Sequence, residues 1–183
     1  MSRLTQIADA DASPKAASLF AAIKSKVGMV PNLYRVMANE PAVLSAALAF
    51  GEKLGEGSFD QKTREALALT VAGANECDYC ASAHSAISKN LKVDAAEIDA
   101  RLRGRSSDPK LNAILTFATA VVDKRGRVSD DDLAAAKAAG LSQGEIVETV
   151  GVVVANILTN YVNHVADTHI DFPVVRTHEI KAA

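Results

Sequence analysis

The stretch Glu65-Ala66-Leu67-Ala68-Leu69-Thr70-Val71-Ala72-Gly73-Ala74-Asn75-Glu76-Cys77-Asp78-Tyr79-Cys80-Ala81-Ser82-Ala83-His84 decides how the rest of the chain is read. Its first half is rich in alanine and leucine, strong helix formers, and its second half holds two thiols and an imidazole. Asp60 stands just ahead, where its carboxylate can satisfy the free N–H groups of a helix predicted over about 61–75. A second helix is predicted over about 78–89 with Asn90 at its exit, which puts the cysteines at a helix start.

That placement has chemical consequences. A C-x-x-C at a helix start sets both sulfurs on one side of the first turn, within reach of a disulfide, and exposes them to amide N–H groups that stabilise thiolate. His84 follows Cys80 by one turn and Cys77 by two, so all three project from one helical face. The imidazole can take the Cys80 proton. A thiolate attacks peroxide and becomes a sulfenic acid, which a neighbouring thiol condenses with to give a disulfide, and Cys77 is placed to be that neighbour. Glu65 lies on the preceding helix, which the short connection 75–77 should fold back against the cysteine helix, so its carboxylate is expected to orient His84 or relay a proton to it. Tyr79, in the first turn, can be a pocket wall, a hydroxyl donor or plain surface, and the pocket wall is the favoured reading.

Outward from this stretch the boundary signals are nearly all helix caps. Ser13 and Pro14 open a helix that Gly28 closes, Asn32 can cap a brief helix ending near Asn39, and Pro41 starts another that runs to about Gly55. Asp94 with Glu97, Ser129 with Asp132 and Ser142 with Glu145 have capping-box spacing. A further helix is expected over 108–124, and the longest over about 143–166, ended by Asp171-Phe172-Pro173 before a polar tail. The β-branched run 150–154 keeps helical spacing, and no Asn-Gly or Asp-Gly hairpin turn occurs.

The expected fold is all-α, a single domain over 1–183 built as a compact multi-helix bundle. At an offset of 80 residues Glu65 meets Glu145, His84 meets His164, and Cys77 and Cys80 meet Ile157 and Asn160. Two degenerate helical repeats would account for this echo, with a thiol-bearing half at about 13–90 and a thiol-free half at about 108–170.

Composition narrows the function classes. Hydrophobic residues make up 49% of the chain but aromatics only 4%, with no Trp, which favours closely packed helices over β-sandwiches. Twenty basic residues against 22 acidic ones give a net charge of −2, and the short clusters Arg101, Arg103, Arg105 and Lys124, Arg125, Arg127 suit solvated helix ends, so no nucleic-acid partner is expected. The N-terminus lacks the apolar core of a signal peptide, and the longest apolar run, 152–158, is too short to span a bilayer, so the expected setting is cytoplasmic with no membrane. In a reducing cytosol a close cysteine pair is catalytic or metal-binding rather than a staple.

Glu65, Cys77, Cys80 and His84, in this order and spacing, resemble the active-site signature of the alkylhydroperoxidase D and carboxymuconolactone decarboxylase superfamily. The likeness extends from about 13 to 84. The stretch Asn156-Ile157-Leu158-Thr159-Asn160-Tyr161-Val162-Asn163-His164-Val165-Ala166-Asp167, with Asp171-Phe172-Pro173, further resembles its peroxidase-related branch. The resemblance implies an alkylhydroperoxidase-like helical bundle, often trimeric or hexameric, that reduces hydroperoxides with electrons from a dithiol reductant or thioredoxin-like donor and without a bound cofactor. It also implies that the later cysteine, Cys80, attacks. One position departs from the pattern: Tyr79 stands where alkylhydroperoxidase D has a histidine. True carboxymuconolactone decarboxylases lack the cysteine pair, so decarboxylation is disfavoured.

Other readings of the same residues stay open. The cysteines can fill a core as small hydrophobes. Cys77, Cys80, His84 and Glu65 can also serve a zinc-binding or non-catalytic ligand-sensing module, although three of those ligands would come from one short helix. His164, His169 and His178 carry no expected role.

Overall fold

The computed structural model describes residues 2–182 and, among them, ten α-helices and no strand, so the all-α expectation holds. In chain order they are α1 (Pro14–Val27), α2 (Asn32–Met37), α3 (Pro41–Leu54), α4 (Gln61–Ala74), α5 (Asp78–Asn90), α6 (Ala95–Leu102), α7 (Pro109–Asp123), α8 (Asp130–Ala138), α9 (Gln143–Ala166) and α10 (Thr177–Ala182).

Most caps form as the sequence reads. Ser13 accepts from the Ala16 amide, Gly28 leaves α1 in the left-handed region at φ 85°, and Asp60 accepts from Thr63 N over 2.8 Å. Ser129 with Asp132 and Ser142 with Glu145 close reciprocal capping boxes. Caps of this kind contribute about 1 kcal/mol each.

Three local expectations are corrected. Asn32 is the first residue of α2 and not its cap; its amide N–H donates to Asp171 Oδ2 and its side chain to the His169 carbonyl. Asp94 makes no side-chain cap, because Glu97 instead accepts from Arg101, Ser106 and Ser107. The longest helix spans Gln143–Ala166 as expected, but Asp167, which takes the left-handed conformation at φ 48°, closes it in place of Asp171-Phe172-Pro173. The tail beyond it folds back and forms α10, since Asp78 Oδ1 accepts from Thr177 N over 2.9 Å.

Helix α4 is the axis of the molecule. Residues 66–73 are all buried, and they serve two clusters: Leu69 and Ala72 join the core that holds both cysteines, whereas Ala66, Leu67 and Val71 join the core made with α7, α8 and α9. Gly73 is required by a close approach, because a Cβ there would lie 1.9 Å from the Leu102 carbonyl oxygen of α6. One turn earlier, Thr70 Oγ1 donates to the Arg101 carbonyl over 2.9 Å.

At the end of α4 the chain reverses. Glu76 takes φ 56° while Cys77 N donates to the Ala72 carbonyl over 2.9 Å, a closure that returns α5 along α4. Helix α9 packs on α2, α3, α4, α5 and α7. By length and composition it is also apolar enough to cross a membrane, with a mean hydropathy of 1.3 over its most apolar window. The run 152–158, itself interrupted by Asn156, understates that character, because a helix tolerates isolated polar residues over a longer apolar span.

Candidate active site

Cys77 is the N-cap of α5 and Cys80 lies in its first turn, both reduced and buried. The Cys77 sulfur accepts from the Cys80 amide over 3.5 Å. Across from them, α9 brings up two asparagines. Asn163 Nδ2 donates to Cys80 Sγ over 3.3 Å, and its own Oδ1 is buried without a partner. Asn160, wholly buried, accepts from Asn75 Nδ2 over 2.9 Å and keeps an unpartnered Nδ2.

These neighbours separate the two thiols. A hydrogen bond from Cys77 holds Cys80 below the usual thiol range against the opposing effect of burial, and the His84 charge and the Asn163 amide add to it; its pKa is lowered to about 6. Cys77 is pushed far up by the hydrogen bond it donates to Cys80, by burial and by the Cys80 charge. At neutral pH one sulfur is thiolate and the other keeps its proton.

The expected contact between helices is present: His84 Nδ1 lies 2.7 Å from Glu65 Oε2. Burial works to lower the His84 pKa, but the Glu65 charge, the hydrogen bond to Glu65 and the Cys80 charge outweigh it, and the net shift is upward. Among the described residues no hydrogen bond joins His84 to Cys80, so the imidazole acts on the thiol through its charge. Its Nε2 has no protein partner there.

Cys80, His84, Glu65 and Tyr79 line one cavity of about 320 Å³, whose remaining wall is largely apolar. Tyr79 is a wall with both of its bonding positions used: its hydroxyl donates to Asp171 Oδ1 over 2.8 Å and accepts from Leu33 N over 3.0 Å. Burial raises its pKa, with the Asp171 carboxylate in support. Its ring meets Phe172 edge-on, at 5.8 Å between centroids. Asp78, the other residue between the cysteines, accepts from Arg176 and Thr177. Both intervening positions therefore anchor the C-terminal segment. Among the described residues no three His, Cys, Asp or Glu side chains converge as a metal-ligand group, so the zinc reading finds no ligand set in this arrangement.

The sequence reading passed over Asn160 and Asn163 as site residues. A signal for them exists, because Asn156, Asn160 and Asn163 recur at i, i+4 and i+7 on a helix that is otherwise strongly apolar. Asp171, taken as a helix terminator, is instead the partner of Tyr79 and of α2.

Residues 41–124 match the model of the Carboxymuconolactone decarboxylase family. No curated protein matches the chain. Among solved structures, the chain is similar to an uncharacterized peroxidase-related protein with an alkylhydroperoxidase AhpD core from Ralstonia eutropha JMP134, with a TM-score of 0.83 and 22% identity over 93% of this chain and 92% of that one. It is also similar to an uncharacterized peroxidase-related protein from Silicibacter sp. TM1040, with a TM-score of 0.80 and 24% identity over 92% and 91%. A cysteine-to-alanine variant of the debrominase Bmp8 in complex with 2,3,4-tribromopyrrole shares the fold with a TM-score of 0.77 and 18% identity over 98% and 95%.

Proposed function

We propose that this chain belongs to the carboxymuconolactone decarboxylase and alkylhydroperoxidase D superfamily and is a thiol-dependent peroxidase that reduces hydroperoxides through a disulfide cycle between Cys80 and Cys77. The observation that carries this reading is the Cys80 sulfur at the wall of an apolar cavity, held toward thiolate by Cys77, His84 and the Asn163 amide.

The Cys80 thiolate attacks the terminal oxygen of the hydroperoxide. The S–O bond forms as the O–O bond breaks, Cys80 becomes a sulfenic acid, and the departing alkoxide takes a proton from the His84 imidazolium. Glu65 keeps that imidazolium oriented through Nδ1 and leaves Nε2 for the substrate. Cys77 then attacks the Cys80 sulfur; the disulfide forms, and hydroxide leaves with the Cys77 proton as water. A dithiol reductant or thioredoxin-like donor returns two electrons and two protons. We place this cycle in the cytoplasm and in a homo-oligomer, a trimer or hexamer, whose size light scattering measures directly.

The test is thiol titration before and after stoichiometric hydroperoxide, followed by turnover with a panel of dithiols, with zinc measured on the same preparation. Loss of two thiols per peroxide and sustained turnover support the reading. Bromide release from a brominated pyrrole with no peroxide consumption would assign the thiols to reductive dehalogenation. Stoichiometric zinc with inert thiols would return them to a binding module.

A further inference from the structure

Tyr34 on α2 lines the same cavity as Cys80, His84 and Glu65. Tyr79, nearby, has its hydroxyl committed twice, whereas the Tyr34 hydroxyl has no hydrogen-bond partner among the described residues. Tyr34 is only partly buried, so its free hydroxyl stays open to a molecule that enters the cavity. Burial, together with the Cys80 and Glu65 charges, raises the Tyr34 pKa, so the phenol stays protonated and able to donate.

The chemistry proposed above creates a need for such a donor. As the O–O bond breaks, negative charge grows on the departing oxygen close to the thiolate and the Glu65 carboxylate, in a cavity walled by Phe50, Leu54, Leu158 and Phe172, whose side chains offer it no donor. His84 supplies the proton that neutralises that oxygen. One donor on one side does not fix its direction.

The geometry points to Tyr34 as a further catalytic residue: resting on the peroxidase reading, its hydroxyl donates a hydrogen bond to the oxygen that departs when Cys80 attacks an organic hydroperoxide whose apolar body fills the cavity. In this step Cys80 sulfur bonds the terminal oxygen, the O–O bond breaks, the inner oxygen receives the Tyr34 hydrogen bond as charge builds, and the His84 proton moves to it to complete the alcohol. Tyr34 keeps its own proton and no other reagent enters.

The test compares the full-length wild-type chain with Tyr34→Phe. Thiol loss is followed with tert-butyl hydroperoxide and cumene hydroperoxide, which release strongly basic alkoxides, and with peracetic acid, which releases a weakly basic carboxylate. Alkylation of Cys80 by iodoacetamide, which expels no oxygen, is measured in parallel. The expected result is a loss on the order of 10²-fold with the alkyl hydroperoxides, typical for removing one preorganised donor, a much smaller loss with peracetic acid, and unchanged alkylation. Equal rates in both proteins, an equal loss with all three peroxides, or a parallel loss in alkylation would each overturn the assignment. A wild-type chain that consumes no hydroperoxide overturns the peroxidase reading and this one with it, whereas a normal wild type with an indifferent Tyr34→Phe removes Tyr34 alone.

Discussion

Asn163 donates its side-chain amide to Cys80 Sγ over 3.3 Å, joining two buried residues 83 positions apart in the sequence. A hydrogen bond to a charged acceptor contributes about 1.5–3 kcal/mol, and it favours thiolate over thiol. Asn163→Ala should therefore raise the Cys80 pKa above its value of about 6 and slow peroxide attack at neutral pH by about tenfold, with the rate recovering as pH rises. Iodoacetamide reactivity against pH measures this directly. An unshifted titration would show that the amide does nothing for the thiolate.

The two cysteines should behave asymmetrically. Cys80→Ser should abolish peroxide reduction, whereas Cys77→Ser should allow one turnover and leave a sulfenic acid on Cys80 that a dimedone probe traps. In the wild type, attack should quicken as pH rises through about 6 and then level, because the thiolate fraction of a group with a lowered pKa is complete above that point. A sulfenic acid trapped on Cys77 in the Cys80→Ser protein would reverse the roles.

Glu65→Gln keeps the shape of the side chain and removes its charge. Without that charge the His84 pKa should fall from its raised position, so the imidazole is neutral at a lower pH and Cys80 loses a cationic neighbour. Thiol reactivity should then titrate at higher pH, with a loss on the order of tenfold near neutrality and a fold that is little changed. His84→Ala should go further, on the order of 10²-fold, with partial recovery in alkali. Rates and titrations identical to wild type in both variants would make the pair structural.

Gly73→Ala tests the packing that supports α4. The added methyl would meet the Leu102 carbonyl at 1.9 Å, a contact that only a shift of backbone can relieve. Destabilisation of about 1–3 kcal/mol is expected, read as a lower urea midpoint with an unchanged slope. A midpoint equal to wild type would mean that α6 does not bear on α4 at this position.

Much of the fold is written locally. Ser13, Asp60, Ser129 and Ser142 each cap the helix that follows them, because a short polar side chain in extended backbone can reach the free amides of the next turn whatever else surrounds it. Where a competing partner was available, the local rule lost: Glu97 turned from Asp94 toward Arg101 and two serines, and Asp171 became a ligand of Tyr79 and α2 in place of a stop signal.

The sequence by itself determined that Cys77, Cys80 and His84 share one side of one helix and that both thiols stand at its start, because residues three, four and seven apart are neighbours in any α-helix. Only the tertiary structure decided that Asn163 reaches Cys80, that Tyr34 faces the same cavity with its hydroxyl unpartnered, and that Glu65 truly meets His84 at 2.7 Å. Those contacts depend on the rotation and crossing of separate helices, which are set by the packing of side chains such as Leu69 and Ala72 throughout the core and leave no fixed spacing along the chain.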